Sequence, residues 1–174
     1  MISQRLQDAM NEQMKNEFFS AYLYKAMEAY FEQEELKGFA NWIHVQALEE
    51  LTHGERFFRF LCDVGGKAVA LGIDAPKGDF RSVLEAFEYG LSHEQFVTSR
   101  INQLMDLARE ESNHAAQIML QWFVTEQVEE ESNFTNMVKK LKIVEGDGRG
   151  LLLLDQEAAQ RVFTPPAATG EGAA

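Results

Sequence analysis

Four long stretches of this chain, near residues 4–34, 38–64, 82–110 and 113–143, contain no proline, and nothing else constrains the fold as strongly. Proline breaks helix interiors because it lacks an N–H and clashes with the preceding turn. A proline-free run of some thirty residues can therefore be one continuous helix. No long period-two alternation competes with that reading, so strands are not expected. The one proline before residue 165, Pro76, lies in a link that runs from Gly65-Gly66 to Asp79-Phe80. The first break, Glu34 to Gly38, is short. Ser82 and Glu85 form a capping box that opens the third helix. Ser112-Asn113 supplies only an N-cap between the third and fourth.

Link lengths then fix the topology. Short links make the first and second helices antiparallel, and likewise the third and fourth. A middle link of about 16 residues reaches roughly 50 Å at ~3.3 Å per residue. A helix of about 28 residues is roughly 42 Å long at ~1.5 Å per residue. The middle link can thus run the full height of the bundle and leave helices two and three parallel. The predicted fold class is all-α, a four-helix bundle with one long crossover. After residue 143 the run Gly146-Asp147-Gly148-Arg149-Gly150 ends the fourth helix. A short fifth helix is predicted near 148–162; its leucines, Leu151 to Leu154, need cover from the bundle's end or from a neighbouring subunit. One domain is expected over residues 1–163, followed by a disordered Ala/Gly-rich tail over 164–174.

Bulk properties exclude several functions. No apolar run approaches the roughly 18–20 residues of a membrane span, and residues 1–10 lack the character of a secretory signal. The single Cys62 cannot close an internal disulfide, which points to a reducing cytoplasm and leaves no Cys-x-x-Cys site. A net charge of −12 repels nucleic acid and anionic lipid and attracts cations. An acidic balance alone more often means simple solubility, so the placement of the acids decides its meaning.

Reading each helix in steps of three and four gives the face that meets the core. The first helix yields Leu6, Met10, Gln13, Glu17, Ser20, Tyr24, Met27 and Phe31; the second yields Phe39, Ile43, Gln46, Glu50, His53, Phe57, Phe60 and Val64. The third yields Leu84, Phe87, Leu91, Glu94, Thr98, Ile101, Met105 and Ala108; the fourth yields Ala116, Leu120, Phe123, Gln127, Glu130, Phe134, Met137 and Leu141. All four are apolar towards both ends and polar in the middle, and the predicted topology brings the four polar sections to one depth. Burying an ionised carboxylate costs several kcal/mol, and none of these positions is Lys or Arg. The acids must then be protonated or be balanced by positive charge, and cations from outside are the remaining source of that charge. Two divalent ions would balance Glu17, Glu50, Glu94 and Glu130, with His53 as a nitrogen ligand at i, i+3 from Glu50. Carboxylate-rich sites with little imidazole and no thiolate suit iron or manganese. A single such Glu would ordinarily be a surface acid, but four at one depth are not explained that way.

The combination of Glu17, Glu50-Leu51-Thr52-His53, Glu94 and Gln127-Val128-Glu129-Glu130 resembles the non-haem bacterial ferritins, over nearly the whole chain. The resemblance implies a ferritin-like bundle and an enzyme, a ferroxidase, that oxidises Fe2+ with O2 or H2O2 at a di-iron centre. It implies that Glu17, Glu50 and His53 hold one iron, that Glu50, Glu94 and Glu130 hold the second with Glu50 bridging, and that Gln127 lies close by. Glu49, Glu126 and Glu129 match a third iron site, with Glu130 shared; from spacing alone they could equally be a solvated face. Tyr24 matches a tyrosine beside the centre that donates an electron or a hydrogen bond, and a core tyrosine with its hydroxyl satisfied accounts for it equally well. Haem is not expected, because Leu51 stands where haem-binding relatives carry a methionine and Gln127 departs from a second Glu-x-x-His. The resemblance further implies iron storage and detoxification, with mineral deposited inside a hollow homo-oligomeric shell of 24 subunits. Trp122 is read as packing, and His44, His93 and His114 as surface or structural. A di-iron oxidase or peroxidase acting on an organic substrate would share the ligands without needing a shell. A storage-only subunit would lack them.

Overall fold

The computed structural model describes residues 2–165. It contains α1 (Gln4–Gln33), α2 (Lys37–Asp63), α3 (Val83–Glu110), α4 (His114–Ile143) and the short α5 (Gly148–Ala158), and no strand occurs among the described residues. Ser3, Ser82, Asn113 and Asp147 accept backbone N–H groups at the starts of α1, α3, α4 and α5. At α3 the capping box is half formed. The Ser82 hydroxyl accepts the Glu85 N–H at 3.1 Å, but the Glu85 carboxylate takes the Arg81 N–H at 2.7 Å instead of that of Ser82.

Three helices end with the same device. A residue in the left-handed region lets the next N–H reach back to a carbonyl five residues earlier. After α1 this residue is Glu35 (φ 58°), with the Leu36 N–H on the Phe31 carbonyl; after α3 it is Ser112 (φ 53°), with Asn113 on Ala108. After α2 it is Gly65 (φ 72°), with Gly66 on Leu61. Only the last uses glycine, which explains why the third-to-fourth boundary carries so weak a signal in the sequence.

α1 packs along α2 and α3 along α4, with α5 across the ends of α2 and α4. The link over 64–82 climbs the bundle beside α1. Near its start the Lys67 N–H donates to Gln7 and the Val69 N–H to Asn11, both at 2.7 Å. Near its end Phe80 packs against Tyr30 and Tyr89. From Gln7 to Tyr30 is roughly 34 Å of helix at ~1.5 Å per residue, so this is the full-height crossover, and the fold is the ferritin-like bundle with a short fifth helix.

The core consists of two apolar clusters. One contains Met27, Phe31, Phe39, Ile43, Phe87 and Phe134; the other contains Leu6, Met10, Phe57, Leu61, Ile101 and Phe123. Between them lies a layer of buried polar side chains. The stripes of α1 and α4 are buried throughout. On α2, Leu61 is buried while Phe60 and Val64 are only partly covered. On α3 the buried face is turned by about one residue: Gly90, Val97 and Leu104 are inside, while Leu84, Leu91 and Thr98 are half-buried. The cause is visible at Gly90, where an added Cβ would lie 2.3 Å from the Phe134 ring.

α5 stops at Ala158 and does not continue to 162. Asn41 of α2 donates its side-chain amide to the carbonyls of Ala159 and Arg161, which draws the chain out of the helix and across α2. Of the predicted tail, residues 166–174 lie outside the described residues. No helix of the described chain is long and apolar enough to cross a membrane.

α5 is seated where Asp155 accepts the Phe39 N–H at 2.8 Å, and a Cβ on Gly38 would meet the Asp155 carbonyl oxygen at 1.6 Å. Helix propensity alone would favour alanine at Gly38 by about 1 kcal/mol. The contact reverses that sign. Gly38→Ala is predicted to destabilise the α5 seat by about 1–3 kcal/mol, the usual range for overpacking. Amide exchange should accelerate over residues 148–158 and remain slow in the four long helices. Unchanged protection of α5 would contradict this.

Candidate metal centre

The polar layer takes residues from all four long helices. Gln13, Glu17, Ser20, Gln46, Glu50, His53, Glu94, Gln127 and Glu130 are each at most 4 % exposed, at the level of Tyr24. Helical spacing turns these groups inward. His53 lies one turn after Glu50, with its Nδ1 3.3 Å from Glu50 Oε2 and 3.8 Å from Glu17 Oε2. Glu17, Glu50 and His53 each offer a ligand atom, all within 4.8 Å of one another, and His53, Glu126 and Glu130 form a second such group. Gln46 joins the two halves, donating to Glu130 at 2.7 Å and to Glu50 at 3.3 Å. The Tyr24 hydroxyl donates to Glu94, and Gln127 donates to the Glu94 carboxylate at 3.3 Å.

Electrostatics follow from this crowding in a dry interior. Burial and the neighbouring Glu50 push the carboxyl of Glu17 up to about 8. The same two causes push Glu130 up to about 8. Glu94 is raised well above the ordinary carboxyl range by burial, then by Glu50 and Glu130. Burial also opposes ionisation of Glu50, yet the adjoining His53 outweighs it and holds Glu50 below its ordinary value. In return, Glu50 and its neighbours overcome the burial of His53 and raise its imidazole well above the usual range. Glu50 and His53 thus favour each other's charged forms, while burial and the neighbouring carboxylates push Glu17, Glu94 and Glu130 towards protonation. Tyr24 is held neutral by burial and by Glu94.

The donor set suits hard divalent cations. The layer contains carboxylate oxygens, one imidazole and no Lys or Arg. Glu17 Oε2 is buried without a hydrogen-bond partner, 3.8 Å from His53 Nδ1, an unsatisfied position that a cation or a water would fill.

The residues proposed from sequence do not all converge. Glu17, Glu50, His53, Glu94 and Glu130 are brought into one layer. Gln127 is there too, but it presents its amide nitrogen to Glu94 and to Thr98 Oγ1, and so orients Glu94 as a donor. Glu126 is half-buried, 3.8 Å from His53 Nε2. Glu49 is instead paired with Arg161 at 2.5 Å, and Glu129 is exposed. His93, read as surface or structural, is half-buried beside Tyr24, with its Nε2 2.8 Å from Ser20 Oγ. Trp122 packs edge-on against His53, with the Arg56 guanidinium 4.0 Å over its ring.

Gln13 and Gln46 were visible in the polar sections of their stripes without a role. Each stands four residues before a candidate ligand and hydrogen-bonds to it, Gln13 to Glu17 at 2.8 Å and Gln46 to Glu50. Arg161 had no such signal, because its contact with Glu49 spans 112 positions.

A family model described as Ferritin-like domain matches residues 7–144. The chain is 41% identical over 163 residues to a bacterial non-heme ferritin of Staphylococcus aureus, covering 94% of this chain and 98% of that protein. It is 42% identical to the bacterial non-heme ferritin of Staphylococcus saprophyticus, with the same coverage. Among solved structures it superposes on an open pore ferritin from the hyperthermophilic archaeon Archaeoglobus fulgidus with a TM-score of 0.92 and 41% identity, covering 93% of this chain and all of that one. A crossover bundle, a carboxylate layer at mid-height and matches of this extent lead to one conclusion: the chain belongs to the ferritin family.

Proposed function

We propose that this protein stores and detoxifies iron by oxidising Fe2+ to Fe3+ at a pair of adjacent metal positions inside each subunit. The observation that carries the reading is the buried carboxylate layer, which has no internal Lys or Arg and an unpartnered oxygen on Glu17. Glu17, Glu50 and His53 would hold one Fe2+. Glu50, Glu94 and Glu130 would hold the other, with Glu50 shared.

The chain's own contribution is charge and orientation. Fe2+ is the substrate, and each of two ions gives up one electron, the pair passing to O2 or H2O2. Their proximity lets a two-electron acceptor be served in one encounter. The carboxylates stabilise the growing positive charge in a medium that screens it poorly. Gln13, Gln46 and Gln127 fix the rotamers of Glu17, Glu130 and Glu94, as outer partners of metal ligands commonly do. The Tyr24 hydroxyl, hydrogen-bonded to Glu94, would orient that ligand and could donate a further electron. Haem has no part in this reading.

A shell accounts for the remaining surface. Leu152 and Leu153 on α5, with Ile118 and Val128 on α4, are largely exposed for aliphatic side chains. A hollow homo-oligomer of 24 subunits in a reducing cytoplasm would cover such patches and enclose the oxidised product.

Two predictions follow from the chemistry. Glu50→Ala removes the shared ligand and should slow rapid Fe2+ oxidation by at least about a hundredfold, since a metal ligand is lost outright. Particle size should not change. Stopped-flow oxidation at the parent rate would sink the reading.

Metal uptake should also release protons. Glu17 and Glu130, with pKa values of about 8, are mostly protonated at pH 7 and mostly ionised at pH 9. Metal must displace those protons, so anaerobic Fe2+ binding should free about 1.6 more protons per subunit at pH 7 than at pH 9, roughly 0.8 from each acid, and affinity should fall as pH falls. Proton release that does not change between the two pH values, read in a weakly buffered titration, would contradict the assignment.

A further inference from the structure

A second feature lies just outside the buried layer. A cavity of about 400 Å³ is bordered by Glu49, Thr52, His53, Arg56, Glu126 and Thr164. His53, buried in its wall, belongs also to the polar layer, so the cavity borders that layer. Its two carboxylates are treated differently. Glu126 faces His53 Nε2 at 3.8 Å and makes no ion pair with Lys or Arg among the described residues. Glu49 is bound by Arg161, whose Nη2 donates to its carboxylate at 2.5 Å.

Arg161 is held in place from three sides. Its guanidinium lies 4.1 Å over the Trp42 ring, and its Nη1 donates to the Trp42 carbonyl at 3.3 Å. Asn41 donates to the Arg161 carbonyl at 3.0 Å and to that of Ala159 at 3.3 Å. These contacts fasten the segment after α5 against α2 and bring Thr164 to the cavity wall. The pair is mostly shielded, with side chains 16% and 24% exposed. A guanidinium so placed satisfies the carboxylate and repels any second cation approaching it.

We propose that Arg161 is a built-in counter-cation for Glu49, keeping a divalent ion off the cavity wall until it is displaced, and that displacement frees residues 159–165 from α2. The inference rests on the metal-centre reading above. It adds that occupancy of an outer cation position is coupled to the C-terminal segment. The displaced guanidinium turns to solvent, Glu49 and Glu126 take the ion, and no bond changes beyond these ionic contacts.

The test is an anaerobic titration of the full-length protein with Zn2+, and separately with Fe2+, by calorimetry. Arg161→Gln should tighten binding of the third equivalent by about tenfold, the scale expected when one partly buried ion pair and its repulsion are removed. The first two equivalents should be unaffected. Arg161→Lys should restore weak binding. Glu49→Gln should weaken the third equivalent, and Arg161→Gln added to Glu49→Gln should have no further effect. In the parent protein, amide exchange over residues 159–165 should accelerate on addition of the third equivalent and not of the first two, a readout that a merely structural arginine would not move. A third equivalent unchanged or weakened in Arg161→Gln, or no third equivalent in either protein while the first two bind, overturns the inference and leaves the metal pair standing. A parent protein that binds no pair at all has a different signature and overturns both.

Discussion

Four glutamates at the centre of a helical bundle are the constraint on which everything else depends. An ionised carboxylate costs several kcal/mol to bury, and a fold of this kind has only about 5–15 kcal/mol of net stability. Burial meets that constraint by pushing Glu17, Glu94 and Glu130 towards their protonated forms, while Glu50 is held below its ordinary value chiefly by the adjoining His53. On the proposed reading, such a layer exchanges its protons for cations. The two apolar clusters above and below enclose the layer and leave it buried between them.

The crossover and α5 extend the same logic outward. A full-height link beside α1 lets α2 and α3 run parallel, and only then do Glu50 and Glu94 reach the same depth as Glu17 and Glu130. α5 caps the end of the bundle through Gly38, Phe39 and Asp155, then releases the chain across α2 towards Glu49. A contact among the last described residues thereby touches the wall of the cavity that reaches His53.

The legibility of this arrangement in the sequence varied with the range of the interactions. α1 and α4 present unbroken 3.6-period stripes, so every position assigned to the core there is buried. On α3 the period was right and the phase slightly wrong, because Gly90 allows close approach of Phe134, a contact between two helices that no pattern on one of them records. The α3–α4 boundary was faint because Ser112 makes a turn usually given to glycine. The buried ligand candidates could be read because an acid in an apolar stripe is conspicuous. Glu49, Glu126 and Glu129 could not be sorted in this way: they lie off the stripe, and their surroundings depend on which side chains fold over them. Arg161 on Glu49, and the extended segment that replaces the end of α5, are long-range contacts with no local signature.

The central claim is that carboxylates from four helices hold two iron ions side by side in a dry interior. Anomalous diffraction at the iron edge, from crystals loaded anaerobically with Fe2+, tests it most directly. The account predicts two peaks about 3.5–4 Å apart, a spacing typical of two-metal sites, one between Glu17 and His53, the other between Glu94 and Glu130, with Glu50 touching both. Iron found only at surface carboxylates, with the interior side chains still hydrogen-bonded to one another, would contradict it.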